Sequence, residues 1–586
     1  MAREYFRVLV VDLTRERASI ERIEGRDEFI GGSGLGALLF RKCGQKDEPW
    51  HSDGQPLIFT IGPLTGYFPL MSKTVCAFKS PYHDQFTESH AGGRSALSLF
   101  FADLDALVIT GRAKAPSMLV VGSRKVEIKD ARYLWGLDVI QTGKIVRRVV
   151  DESRGHRSIL RIGPAGENLC AYACINADTY RHFGRLGAGA VMGRKNLKAI
   201  VILGDALFEA PDKREYKKAY GEIFKRIEES GMMKKYHDLG TPANLVQLNR
   251  LKSLPWRNLT ATHDPDVNRI SGETFAQRHL LRNLACSGCP IGCIHLGYIR
   301  EKFMKDHRYY FEQVAYDYEP IFSVGCMLGI TNPVDVLKLI LEIDALGLDV
   351  ISAGVALAWA TEALQTGLIR KDHTLCTLRF GHTKGYLEAG RYLAMGANEF
   401  YRLLAQGTLK AARHYGGEDF SCVLGQEMAG YATGELFFTA QALGFRHSHL
   451  DTGAYSKEQK ERDINLEEAV EFLIQDESRR VLLNSMVSCL FARAVYTNEY
   501  LAMCLDSVGY HEIAKNMEEL SEKIRFWRWK LRFDTGFKPR EVTIPKRFYK
   551  VESWKGKVDP AFLDSLKEAY GKRLEELVSE GEKKWT

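Results

Sequence analysis

The chain has 586 residues, 45% of them hydrophobic and 26% charged, with 81 Lys and Arg against 74 Asp and Glu for a formal net charge of +7. That length implies several domains of roughly 150 residues each, and so small a charge excess is no footprint of a nucleic-acid binder, although it tolerates an acidic protein partner. The longest uncharged apolar run, "VISAGVALAWA" at 350–360, falls far short of the ~20 residues that span a bilayer, so no membrane insertion is expected. The opening "MAREYFRVLVVDLTRER" has charges on both sides of a short apolar run and no small-residue cleavage site. It is not a secretory signal, and a cytoplasmic location is expected.

In chain order, residues 1–207 read as β-rich. "YFRVLVVDLTRERASIERI" alternates and breaks at a polar turn like a hairpin; "PLIFTIG", "DALVITG", "SMLVVGSRKVEIKD", "SILRIG" and "LKAIVILG" are short β-branched runs ended by Gly or charge. Glycine clusters lie between them without a constant period, so the chain is not a solenoid. "GGSGLG" lacks the preceding strand and spacing of a dinucleotide fingerprint, and "GAVMGRKN" lacks the Gly–Lys–Ser/Thr of a P-loop. At "FEAPDK" the character turns helical, giving an expected boundary at 207/208; a weaker one falls near 415, around "RHYGGEDFSC". "NPVDVLKLILEIDALGLD" has an Asn–Pro start, an amphipathic body and a Gly stop. "NLEEAVEFLIQDESRRVLLNSMVSCLFARAVY" and "DPAFLDSLKEAYGKRLEELVSEGEKK" also read as helices.

Most of the twelve cysteines sit in hydrophobic contexts, where a free thiol behaves as a small apolar side chain. "CSGCPIGC" at 286–293 departs from that background: Cys286, Cys289 and Cys293, spaced C-x2-C-x3-C, lie on a turn of small and stiff residues within an expected helical region. A structural zinc site usually pairs two C-x2-C knuckles, and there is no second one. Three close cysteines, one followed by Pro, with a distant fourth suit a cubane iron–sulfur cluster. Spacing leaves the fourth ligand open among Cys326, Cys376, Cys422, Cys489 and Cys504.

Five motifs together, "PLIFTIGPLTG" (56–66), "IGPAGENL" (162–169), "GRLGAGAVMGRKNLKAI" (184–200), "CSGCPIGC" and "DALGLD" (344–349), resemble the tungsten-containing aldehyde:ferredoxin oxidoreductases in order and spacing along essentially the whole chain. The resemblance implies an α+β fold: a β-rich base (1–207) carrying two tungstopterins, covered by two mainly helical domains (208–415 and 416–586). It implies a 4Fe–4S cluster beside a pterin, with Cys489 as last ligand, and Mg2+ bridging the pterin phosphates. Asp344, Gly347, Leu348 and Asp349 then form the first pterin-binding motif, in which the carboxylates accept from pterin N–H groups and Gly347 permits close approach. The glycine-rich segments around Gly92 and Gly93 and at 184–193 offer backbone N–H groups to phosphate, and Arg185 adds a charge-assisted contact.

Departures from the family pattern are specific. The second pterin motif reads "NSMVSC", with Asn484 for the usual Asp and Val487–Ser488 for Gly–Leu. His90 stands where the family often has Asn, and Lys73 replaces an arginine near the phosphates. Lys338 occupies the position of an acidic residue that binds an inter-subunit metal in some members, so an oligomer is possible but not a metal-bridged homodimer.

The resemblance places Glu319 beside the substrate as an acid–base group with a raised pKa, and a histidine of "GFRHSHLDTGAY" with it, either His449 or His447, with His449 favoured. Tyr318 is a candidate to orient the carbonyl. The implied reaction oxidises an aldehyde to a carboxylic acid as tungsten passes from W(VI) to W(IV), with electrons leaving through the cluster to ferredoxin or a small iron–sulfur subunit. Two alternatives remain: reduction of an aromatic acyl thioester, as in some relatives, and a non-catalytic iron–sulfur electron-transfer or scaffold subunit.

Overall fold

The computed structural model describes residues 3–150, 155–207, 210–211, 213–302 and 308–586. Three residues of the expected "FEAPDK" boundary, at 208, 209 and 212, lie outside the described residues. No helix among the described residues is long and apolar enough to cross a membrane.

The first 204 residues form two six-stranded sheets of the same design. The first is built from β1 (Phe6–Asp12), β2 (Arg17–Ile23), β3 (Leu57–Thr60), β4 (Thr74–Lys79), β5 (Phe86–Ala91) and β6 (Ala106–Thr110). The second uses β7 (Ser117–Gly122), β8 (Val126–Asp130), β9 (His156–Arg161), β10 (Ile175–Ala177), β11 (Arg181–Phe183) and β12 (Leu197–Gly204). Their orders, β2-β1-β6-β3-β4-β5 and β8-β7-β12-β9-β10-β11, superimpose strand for strand. In each, the first and last strands in sequence pair in parallel and every other pair is antiparallel. The base thus repeats one sheet topology, which the differing strand sequences concealed.

Both sheets are covered on both faces: every position of β3, β4 and β12 is buried. Such continuously apolar strands need helices on either side. One cover of the first sheet is the helix Gly32–Cys43, whose N-terminus lies so close to the far C-terminal region that a Cβ on Gly32 would sit 2.2 Å from the Asn484 carbonyl oxygen.

The expected hairpin is β1–β2, in register from Phe6↔Ile23 to Asp12↔Arg17. The expected helices form at Pro333–Leu346, capped by Asn332 and stopped by left-handed Gly347, at Leu466–Ser485 and at Pro560–Trp585. One expectation fails. The cysteine trio lies not in a helical region but in the loop joining β13 (Leu280–Leu284) to β14 (Ile294–Lys302), in a three-stranded antiparallel sheet completed by β15 (Tyr309–Tyr316). Only the opening "IHLGY" of β14 alternates; "YYFEQVAY" has no period-2 pattern, so the strands left little local signal. Because β14 and β15 pair through His295↔Tyr316, this sheet delivers the cysteine loop and Asp317–Glu319 at the same end.

Candidate active site

That end opens onto a cavity of about 590 Å³ between the β base and the helical remainder. Its wall includes Cys286, Cys289, Cys293 and Cys489, then His90, Arg185, Asp344, Leu348, Asp349, Asn484 and Ser488, and finally Glu319 and His449. These residues span some four hundred positions of sequence, yet they share one enclosure.

The cysteine loop is fixed by backbone pairing. Ser287 N–H donates to the Gly93 carbonyl (2.9 Å), and Leu70 N–H to the Gly288 carbonyl (3.0 Å). Leu70 in turn accepts from Cys489 N–H (2.9 Å), so one residue ties the trio to the distant cysteine. Of the five downstream candidates, Cys489 alone reaches the cavity wall; Cys326, Cys376, Cys422 and Cys504 are buried elsewhere. Cys174 also touches the wall, but its thiol donates to the Gly184 carbonyl (3.2 Å). Close approach is built in at Gly92, where a Cβ would lie 2.7 Å from Cys286 Sγ. Burial pushes the Cys289 and Cys293 thiols up to about 12 and about 11. Burial acts likewise on Cys286, but Arg181 and Lys73 outweigh it and hold that thiol below its ordinary value. Among the described residues no group of three His, Cys, Asp or Glu side chains converges closely enough for a single metal ion.

The first pterin-type motif caps one helix and starts another. Asp349 is the N-cap of Val350–Gln365: its carboxylate accepts from Ile351 and Ser352 N–H and from Ser352 Oγ (2.6 Å), with Arg185 Nε 3.3 Å away. It is therefore largely engaged within the protein. Asp344 is the available carboxyl, with only His182 nearby at 3.5 Å; burial and the Asp349 charge push it up to about 8. Gly347 is left-handed (φ 78°), and a Cβ there would strike the Gly163 backbone nitrogen at 2.8 Å.

His90, near the end of β5, bonds Glu88 (2.9 Å) and Arg446 (3.2 Å); burial and the Arg446 charge lower its pKa to about 4, so it is neutral. Glu88 is fully buried against Arg528 (2.6 Å) and Ser33 (2.7 Å). Gly93 abuts Asp178, which also accepts from Arg94 N–H (2.9 Å). Lys338 is taken up by Glu301 (2.7 Å).

Several buried donors on this wall have no partner: Arg181 Nε, Arg185 NH1 and Arg446 NH2. A buried N–H left unpaired costs about 1–3 kcal/mol, so three guanidinium groups lining one cavity, each with an unsatisfied donor, mark a place made for anionic or acceptor-rich groups. Pterin phosphates and cluster sulfurs have that chemistry, and the residues present fit both. Arg181, Arg446 and its anchor Asp451, which accepts from Arg446 Nε at 2.7 Å, were not found from the sequence; as isolated charges without motif spacing they carried no signal.

The third wall holds the acid–base groups. Glu319 Oε1 lies 3.1 Å from His449 Nε2 and accepts from Tyr431 OH at 3.0 Å. Burial would raise this carboxyl, but the His449 contact and the Tyr431 hydroxyl bring it below its ordinary value, which reverses the expected raised pKa. Neighbouring Asp317 takes the opposite shift, up to about 7, through burial and the Glu319 charge. His449 Nδ1 is buried without a partner.

Two expected residues lie elsewhere. Tyr318 is fully buried and donates to the Gly430 carbonyl, so it does not reach the cavity; Tyr431, unnoticed in the sequence, holds the place beside Glu319. His447 packs against Arg532 (2.5 Å) and the Gln441 carbonyl (3.2 Å), outside the cavity. The two histidines diverge because His447 is left-handed (φ 49°).

Residues 8–204 match the sequence family described as aldehyde ferredoxin oxidoreductase, N-terminal domain, and residues 218–577 match aldehyde ferredoxin oxidoreductase, domains 2 & 3. A tungsten-containing aldehyde ferredoxin oxidoreductase of Pyrococcus abyssi is 29% identical over 568 residues, covering 92% of this chain and 91% of that protein. An aliphatic sulfonate oxidoreductase, WOR-like subunit, of Pyrococcus furiosus is 32% identical over 426 residues, 69% of this chain and 66% of that one. Among solved structures, the active-site complex BamBC of benzoyl coenzyme A reductase has the same fold, with a TM-score of 0.81 at 20% identity, covering 97% of this chain and 94% of that one.

Proposed function

The chain belongs to the aldehyde ferredoxin oxidoreductase family, a family of tungstopterin oxidoreductases, and from that premise we propose that it oxidises aldehydes to carboxylic acids and passes the electrons to ferredoxin or a small iron–sulfur partner subunit. The observation that carries the reading is the single cavity on which four cysteines, an available carboxyl and a Glu–His pair converge. In this reading Cys286, Cys289, Cys293 and Cys489 hold a 4Fe–4S cluster. Asp344, Asn484, Ser488 and Arg185 would hold two pterins, and the backbone at Gly92–Gly93 and at 184–193, a turn running into the helix Ala188–Arg194, would receive their phosphates and Mg2+. The division at 207/208 and 415/416 belongs to the same reading. Bound there, the tungsten bis-pterin supplies a two-electron change and the cluster a one-electron exit.

The chain's own residues supply proton handling. Glu319, held below its ordinary pKa, is a carboxylate at neutral pH and accepts a proton from an aldehyde hydrate or an attacking water. Tyr431 OH and His449 Nε2 fix the Oε1 oxygen that faces the substrate side of the cavity. That the sulfonate relative is itself named a subunit supports a partner protein here.

The test is metal analysis of anaerobically purified protein with an aldehyde screen against a viologen acceptor. About four irons, one tungsten and aldehyde-dependent dye reduction are expected per chain. Iron without tungsten would instead mean an electron-transfer subunit, and a tungsten-loaded chain inert toward every aldehyde would overturn the proposed substrate class.

A further inference from the structure

Arg181 opens β11, the edge strand of the second sheet, in register with Ala177. From there its guanidinium reaches out of the β base into the cysteine loop. NH2 donates to Cys293 Sγ at 3.6 Å, and the group lies beside Cys286, since a Cβ on Gly92 would meet Cys286 Sγ at 2.7 Å and Arg181 Nε at 3.9 Å. NH1 lies 4.0 Å from Asp317 Oδ2, and Nε is buried with no partner. Cys289 and Cys489 lack this contact, so one fixed positive charge serves one side of a four-cysteine site. Lys73 is a second cation nearby: a Cβ on Gly92 would meet Cys286 Sγ at 2.7 Å and Lys73 Nζ at 3.4 Å. Asp317 is the opposing charge.

Iron–sulfur potentials respond to net charge and to hydrogen bonds on sulfur. A cluster gains negative charge on reduction, so a cation and its N–H donors at the thiolates stabilise the reduced form. The carboxylate across from them works the other way. An unpaired Nε beside the cysteines is one more donor that a sulfur acceptor would satisfy.

We propose that Arg181 sets the reduction potential of the cluster held by Cys286, Cys289, Cys293 and Cys489, raising it through charge and hydrogen bonds on the Cys286–Cys293 side. This rests on the cluster assignment made above. Arg181 is a positioning residue that acts through the thiolates, and it ties the electron exit to Asp317, two residues from Glu319. Lysine cannot replace it fully, because a point charge lacks the fork that reaches a sulfur and a carboxylate together.

The test uses the full chain, purified anaerobically, with iron counted and the cluster titrated by electron paramagnetic resonance at set potentials. Arg181→Met with full iron is expected to lower the cluster's reduction equilibrium about tenfold, a midpoint about 59 mV more negative. Arg181→Lys falls between Met and wild type, and Asp317→Asn, which keeps a capping side chain, moves the midpoint in the positive direction at pH 8.5, above the value of about 7 at which Asp317 ionises. An iron-loaded Arg181→Met with the wild-type midpoint overturns the proposal. Should that variant lose its iron, the Lys and Asn variants decide: shifts of opposite sign support the assignment, and two unmoved midpoints overturn it. A wild-type chain without iron overturns the cluster reading and this one together, whereas a loaded wild type with unmoved variants overturns only this one.

Discussion

The two pterin-type motifs, Asp344–Asp349 and Asn484–Cys489, make the same backbone from different chemistry. In the first, Gly347 N–H donates to the Asp344 carbonyl (3.0 Å) and Leu348 N–H to Ile343 (3.2 Å); in the second, Val487 N–H donates to Asn484 (3.2 Å) and Ser488 N–H to Leu483 (2.9 Å). Each then pairs with its own half of the base. The Gly347 carbonyl accepts from Cys174 N–H (2.8 Å) and Asp349 N–H donates to Tyr172 (2.9 Å); the Val487 carbonyl accepts from Lys73 N–H (3.1 Å) and Cys489 N–H donates to Leu70 (2.9 Å). Even the packing glycines correspond: a Cβ on Gly163 would lie 2.5 Å from the Leu346 carbonyl oxygen, and one on Gly62 the same distance from that of Met486. The altered letters of the second copy therefore do not signal a degraded site. They keep the turn, put an amide in place of Asp344 and end in a cysteine in place of Asp349, so one copy carries two carboxyls and the other the cysteine proposed to hold a cluster.

The largest expected effect falls on Glu319, the proposed proton acceptor on the cavity that both motifs line. Glu319→Gln should lower turnover by about 10²–10⁴ while leaving iron and tungsten contents at wild-type levels; full turnover in a loaded variant would place the base elsewhere. Next comes the first copy's turn. Gly347→Val puts a β-branched residue at φ 78° with its Cβ 2.8 Å from the Gly163 nitrogen, and about 3 kcal/mol or more of stability should be lost. Thermal unfolding would reveal it, and an unchanged midpoint would mean the two turns tolerate the same residues.

Much of this was legible in the sequence because it is carried by spacing: the cysteine trio, the strands of the first half and the capped helix ending at Gly347. The repeated topology was not, since equivalent strands such as β5 and β11 differ in length and share no pattern. The β13–β15 sheet was hidden by its charged positions within a helix-rich context. Which histidine faces the cavity depended on the sign of one backbone angle at His447. Tyr431 and Arg446 owe their place to long-range packing, which no local window of sequence records.

A smaller effect separates the motifs by charge. Asp344, near 8 when folded and about 3.9 when unfolded, binds more protons folded than unfolded between those values, so it favours folding at low pH and loses that contribution as pH rises through about 8. Asp344→Asn copies the second motif and should flatten this loss. In cofactor-free protein, the variant should gain on wild type by at least about 1.4 kcal/mol between pH 5 and 9, one unit's worth. Parallel pH profiles would show that Asp344 is already a carboxylate at pH 5.

The smallest effect is the reciprocal substitution, Val487→Gly. Val487 is buried at φ 55°, where a β-branched side chain costs about 1–3 kcal/mol in backbone strain. Its burial contributes about 1.5–3 kcal/mol, and its Cγ2 packs over Gly62, where a Cβ would meet it at 3.0 Å. The two nearly cancel, so the variant should unfold within about 1 kcal/mol of wild type and retain its iron. A loss as large as that of Gly347→Val would mean the strain at Val487 is relieved by its surroundings, and the motifs would differ in backbone energetics as well as in charge. A near-null result makes side-chain chemistry alone the difference, and leaves valine as a residue that fills the space two positions before Cys489 at no net cost.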